Sequence, residues 1–598
     1  MNSIRGNSSE DHGKLKAAWR FMLAGAIAVA AVMVSGEARA ESAMPVSQPA
    51  AAAPGSISVN IAQKAQPDEC FVAIGSTHNL FPATMPCAEG QPKVNQGYVW
   101  GLTSAGKNLW YGTSANQLCT VISGIEVAAG ITPVPFQTNS YVCEFGQSNF
   151  LVTHPTVPPA LGDWRPPEIF SYDRVKGVVT NRTPNDALID STLGIRAAGT
   201  TDNIVILGGP VLAPFGTLPP GINLFAFKKS NGAYLGSTTL TQFSDIRTWT
   251  VLNGVTYTGV ENSDGSGSIL RWTGNTQHPF SFSIVGHIDN DAAYVVAYHG
   301  RIFAGTWGGA SGLTGRLSGI WMSPSTTGGE LTTKNLNQWT EVWRVDDYEP
   351  DPVTAQTLLT GALGVLGGRL YWGTMQVPLS GALLHYKIYP RMGSPTPGDL
   401  VAALVNTTRP ATIFRCCGGA SLPKTFVGSD ELLYGSALMG VYDPVNSWHP
   451  APNVMNAEPT FGQAGFGNPF NTYTWAMSKF NSALYVGTFD WSYVLGDMLT
   501  VVLPILGAPS DEIPQIDAQY IQALNPALIN YGADLWEFTG ANPAVALSQY
   551  GLENFLNYGV RNLVTAGNKL YFGMADPMNL RTSPDLLPNG GFELLSTP

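Results

Sequence analysis

Short apolar runs separated by Gly, Asn and Pro turns fill nearly the whole chain, and one run keeps returning. Its clearest copies are NLWYGT (108–113), RLYWGT (369–374), ALYVGT (483–488) and KLYFGM (569–574). Weaker copies are VTYTGV (255–260), RIFAGT (301–306) and NIVILGG (203–209). Most copies have an apolar strand just upstream, joined by a turn such as LNGV, HGR, GGR or FNS. Gly and Asn tolerate positive φ, so these turns read as tight hairpins. A third strand follows at variable distance: EIFSYD (168–173), NLFAF (223–227), SILRW (268–272), GIWMS (319–323), TIFRC (412–416), DLWEF (534–538) and FELLS (592–596). Polar residues alternate with apolar ones in ILRW and LWEF, as they do in a strand buried on one face.

A strand–turn–strand phrase repeated over residues 97–596 resembles the broad β-propeller superfamily, in which each repeat is a blade of about four strands. The resemblance implies an all-β propeller and no particular activity, because propellers host binders and enzymes alike. The chain lacks the Trp-Asp repeat ending of many intracellular propellers. Seven blades are the most direct reading, with six or eight as alternatives. The segment LLYGSALMGVYDPV (432–445) reads either as the outer part of blade five or as a degenerate blade. The last blade runs out of chain after three strands. SISVNIA (56–62) alternates and is placed to supply the fourth, which would cover an exposed edge.

Long stretches after the second strand of a blade fall at 114–167, 376–410 and 490–533, with a shorter one at 576–590. The hairpin turns on the opposite side are short. Elaboration on one face points to that face as the functional one. The 490–533 stretch contains MLTVVLPILG (498–507), too short to span a bilayer and suited to packing over the ring. Apolar spacing within 513–529 predicts a short helix ending near Pro526.

Aligned on the aromatic residue of the phrase, the position ten residues upstream holds Trp100, Arg196, Arg247, Ala293, Gly361, Trp475 and Arg561. Inner strands line a propeller's channel, so Arg196, Arg247 and Arg561 are expected to approach the axis. They suit a carboxylate, sulfate or phosphate ligand, or else pair with acids that cement the ring. Five residues downstream, Gln376, Asp490 and Asp576 reach the elaborated face, with Glu261 one residue from the same height. Asp490, Asp576 and Glu261 are candidate acid and base for glycoside chemistry, candidate Ca²⁺ ligands, or partners of the arginines. Trp307 and Trp491 lie close by and suit a sugar or another polar ligand.

Composition narrows the options. The whole chain carries a net charge of −11. Without residues 1–40, which hold five basic and three acidic groups, the remainder is −13. That argues against nucleic acid as a partner. Residues 1–40 read as a signal peptide: Lys14, Lys16 and Arg20, then an apolar run from Phe21 to Ser35, then Ala38-Arg39-Ala40. A flexible lead-in follows at 41–55, and no stable membrane span is expected after cleavage. The expected location is periplasmic or secreted, where six cysteines favour disulfides. Proximity favours Cys70–Cys87 and Cys119–Cys143. The adjacent pair Cys416 and Cys417 could bond to each other, bridge elsewhere or stay reduced. The chain carries no haem-attachment or nucleotide-binding motif and no two-His zinc spacing. The function expected is an exported binding or scaffold propeller with a site for a polar ligand, such as an anion or a saccharide, on the insertion-rich face. The rival is a carbohydrate-active hydrolase or lyase using rim carboxylates.

Overall fold

The computed structural model describes residues 56–76, 79–80, 87–128, 131–212, 220–308, 316–389, 395–418, 422–445, 447–525, 529–580 and 590–598. The signal-peptide and lead-in segments expected at 1–55 lie outside them. The fold is an all-β propeller. Its pairings resolve into seven four-stranded antiparallel groups. The innermost strands are Gln96–Ala105, Ala197–Thr200, Phe243–Leu252, Asp291–Tyr298, Leu358–Leu366, Asn471–Phe480 and Gly559–Ala566. Each touches the next in chain order, and the seventh touches the first. The last group takes its fourth strand from Asn60–Lys64, paired antiparallel with Glu593–Ser596. That strand begins four residues later than the alternation of 56–62 suggests, and at its end Lys64 lies 2.6 Å from Glu593.

The hairpin turns form as the sequence demands. Asn253 and Gly254 hold φ values of 52° and 79°, the pair of positive angles that a tight two-residue hairpin requires. The glycine of the recurring phrase has a different cause. A Cβ on Gly112 would lie 2.2 Å from Ile195, and one on Gly487 would lie 2.5 Å from Val560. A Cβ on Gly573 would lie 2.8 Å from Val99. In each case the obstacle is a residue on, or just before, the inner strand of the next blade, with the last blade meeting the first. The glycine lets neighbouring blades pack closely.

The region 430–452 divides. Asp430–Gly435 is the outer strand of the fifth group, and Leu438–Asp443 pairs with Ser447–Pro452 as a separate hairpin. The long stretches on one face are partly helical: α1 (Gln117–Ala128), α2 (Asn149–Thr153), α3 (Ser380–Ile388), α4 (Pro397–Thr407), α5 (Leu495–Ile505) and α6 (Ile513–Ala523). Helices α3 and α4, α4 and α6, and α5 and α6 contact one another in a layer above the ring. Among the described residues, no helix is long and apolar enough to cross a membrane. Disulfides join Cys70 to Cys87, Cys119 to Cys143, and Cys416 to its neighbour Cys417.

Candidate functional site

The inner strands depart from regular pairing at one recurrent place. The register shifts around Trp100, Arg247, Ala293, Gly361, Trp475 and Arg561. Arg196 immediately precedes the short inner strand of the second blade. These are the seven positions aligned from sequence, and a β-bulge re-aims the side chain it carries. They form one tier of the channel wall.

Three tier residues, Trp100, Arg196 and Trp475, meet the next blade two positions upstream of that blade's own tier residue. The next blade supplies Gly194 beside Trp100 and Gly559 beside Trp475. A Cβ at those glycines would lie 2.4 Å and 2.0 Å from the two indole rings. Beside Arg196 it supplies Asp245, whose Oδ2 lies 2.5 Å from Nη1. The corresponding neighbour of Arg247 is Asp291, yet Arg247 Nη2 donates instead to the Tyr294 hydroxyl at 2.6 Å. The corresponding neighbour of Arg561 is Tyr98, whose hydroxyl bonds to that of Tyr558. Nε and Nη2 of Arg561, and Nε of Arg196 and of Arg247, have no hydrogen-bond partner among the described residues. Pairing of every channel arginine with an acid, one of the readings above, therefore describes Arg196.

All three guanidiniums are buried, with relative exposures of 2–5%. Aromatic faces take up part of the charge. Arg247 lies 4.6 Å from the ring centroids of Tyr294 and Trp307. Arg196 lies over Trp100 and Trp307, and Arg561 over Trp475. Burial, then the charges of Arg247 and Arg196, push Arg561 well below its ordinary value. A guanidinium does not shed its proton in a protein, so the penalty stays in the fold as uncompensated positive charge. Burial and the carboxylates of Asp245 and Glu261 push Asp291 well above the usual carboxylate range, which favours its neutral form.

Against this tier lies a cavity of about 80 Å³. Arg196, Arg247, Trp100, Trp475, Tyr98 and Tyr473 line its lower part. Trp307 and Trp491, singled out in the sequence, also line it. Its roof is Leu118 and Val121 of α1, Val377 and Pro378, and Val494 and Met498 at the start of α5. The apolar run around 498–507 thus closes the axis from above. Among the described residues no carboxylate lines this cavity.

Asp490 and Asp576 sit elsewhere. Both are fully buried. Asn468 Nδ2 donates to Asp490 Oδ2 at 2.6 Å, and Ser492 N donates to Oδ1 at 2.7 Å. In the next blade Asn554 Nδ2 faces Asp576 Oδ2 at 3.5 Å, and Met578 N donates to Oδ1 at 3.0 Å. A second asparagine completes each arrangement. Asn471 Nδ2 donates to Gly465 O and Asp534 Oδ2, and Asn557 Nδ2 to Gly551 O and Glu593 Oε2. The shared spacing Gly-x-x-Asn-x-x-Asn, at 465–471 and 551–557, is the sequence signal of this device. Glu261 is partly buried and accepts from Ser244 Oγ at 2.6 Å. Gln376 is buried and donates to Thr357 and the Thr407 carbonyl.

Three carboxylates at metal-ligand spacing do occur, at Glu69, Glu144 and Asp163. The ammonium of Lys93 occupies their centre, 2.8 Å from Glu144 and 3.6 Å from Glu69, and is bonded to Asp163. A protein cation thus fills the place that an ion would take.

The sequence matches no family model and no curated protein. Among solved structures it is similar to a propeller of Dos1, at 6% identity over 72% of this chain and 86% of that one, with a TM-score of 0.32. An α-L-arabinofuranosidase from Clostridium thermocellum aligns at 11% identity over 47% of this chain and 82% of that one, TM-score 0.24. A β-xylosidase aligns at 10% identity over 47% and 87%, TM-score 0.24. The chain is a β-propeller by its own strand pairings.

Proposed function

We propose that this chain is an exported binding protein that holds a small anion in the capped cavity on the propeller axis. One observation carries the reading: Arg247 lines that cavity, buried and without a hydrogen-bonded carboxylate among the described residues, and Arg561 shares its tier in the same condition. An uncompensated buried cation is costly, and a bound anion relieves it through charge-assisted hydrogen bonds. Export is proposed from residues 1–40 and from the Cys70–Cys87 and Cys119–Cys143 disulfides, which persist in oxidising compartments. The carbohydrate-active alternative needs an accessible carboxylate pair. Asp490 and Asp576, fully buried and hydrogen-bonded to asparagine, backbone or hydroxyl groups, give it little support.

Unfolding temperature measured against rising sodium acetate and sodium sulfate, at constant ionic strength with chloride, tests the reading. A ligand at 100 times its Kd adds about 2.7 kcal/mol to stability. Saturable stabilisation by either anion, lost in Arg247→Met, is expected. Curves identical in all three salts would overturn it.

A further inference from the structure

The cavity is not equally polar all round, and this asymmetry narrows the ligand. Its cationic groups, Arg196 and Arg247, lie on the floor, with Tyr98 and Tyr558 beside them. The hydroxyls of those two tyrosines bond to each other, which leaves one proton to donate outward. The roof is largely apolar, with Leu118, Val121, Val494 and Met498, and has Gln117 as a polar side chain whose Oε1 accepts from the Ser114 hydroxyl. A tetrahedral oxyanion exposes acceptors in every direction and would leave some of them against aliphatic groups, unsatisfied. A ligand charged at one end and aliphatic at the other matches both surfaces.

Resting on the anion-binding reading above, we propose that the axial cavity takes a short aliphatic monocarboxylate, with its carboxylate on the arginine tier and its alkyl end under α1 and α5. Volume sets the length. A dry cavity of roughly 150 Å³ holds one benzene ring. At about 80 Å³ this one is little more than half that size, which suits a body of about three or four carbon atoms. The aromatic walls at Trp100, Trp307 and Trp475 are already stacked against Arg196, Arg247 and Arg561. They hold the guanidiniums in place for the carboxylate.

Calorimetric titration of the full mature chain with sodium acetate, sodium butyrate, sodium octanoate and sodium sulfate tests this. Two buried methylenes are worth about tenfold in affinity, so butyrate should bind at least tenfold more tightly than acetate. Octanoate exceeds the volume and should bind more weakly than butyrate. Arg247→Met should weaken butyrate at least tenfold. Met498→Gln, which leaves the arginine tier untouched, should erase the preference for butyrate over acetate. If sulfate binds in an Arg247-dependent way while butyrate binds no better than acetate, the monocarboxylate assignment is overturned and the anion site stands. If no anion binds, both fall.

Discussion

Arg196 reaches from one blade to Asp245 on the next, with 2.5 Å between Nη1 and Oδ2, and both groups are buried. Arg247 and Arg561 hold equivalent places on the tier without such a bond. The three arginines should therefore respond differently to removal. Arg196→Met leaves Asp245 buried and unpaired, at a cost of about 3–5 kcal/mol. Arg247→Met and Arg561→Met strand no carboxylate and relieve repulsion between like charges, so each should cost less than about 1 kcal/mol or stabilise the fold. Chemical denaturation of the three variants without added ligand checks this. Equal losses in all three would mean that the tier is cemented by partners beyond Asp245.

Much of this tier was legible in the sequence, because position in a repeat converts to position around an axis. The recurring phrase located the second strand of every blade, and counting back from it found Arg196, Arg247 and Arg561. Their partners were not legible in the same way. Asp245 sits on the following blade two positions before Arg247, and finding it requires the offset between neighbouring inner strands; Tyr294, one position after Ala293, lies off that pattern. The Trp100–Gly194 and Trp475–Gly559 contacts share that offset, so a comparison of consecutive repeats at a shift of two would have exposed it. Asp490 and Asp576 were placed at the correct strand end but on an open rim. Their burial depends on asparagines about twenty residues upstream, which hold them inside the blade.

That asparagine device predicts a stability effect separate from ligand binding. Asn468→Ala and Asn554→Ala each remove donors to a buried carboxyl group and an acceptor for a backbone N–H, of Phe470 and Leu556 respectively. Leaving such groups unsatisfied costs about 1–3 kcal/mol per site. Anion affinity of the variants should match that of the parent. A loss of affinity without a loss of stability would place these residues in the binding machinery instead.

Ring closure gives a third expectation. Lys64, on the strand that completes the last blade, lies 2.6 Å from buried Glu593. Deleting residues 56–65 removes the antiparallel partner of Glu593–Ser596 and leaves that carboxylate without its cation. The unpaired charge alone is worth about 3–5 kcal/mol. The whole unfolding transition should move to lower denaturant, as one step. A separate early transition with the main one unmoved would show that this strand is a local appendage.

Asp534 and Asp490 make stability depend on pH in a direction opposite to that of most paired carboxylates. Burial, then the neighbouring Asp490 charge, push Asp534 up to about 7, and burial pushes Asp490 up to about 6. In the unfolded chain both titrate near about 3.9. The folded form therefore binds more protons than the unfolded form across the interval between these values. Their contribution is fully present below about pH 4 and is lost as pH rises through about 6 and 7. From Asp534 the loss is roughly 2–4 kcal/mol by pH 8. Asp534→Asn should flatten the profile. Its amide oxygen can still accept from Asn471 and Trp536. Denaturation midpoints of parent and variant at pH 5 and pH 8 decide the point. A variant that keeps the parent's slope would show that the titrating group lies elsewhere.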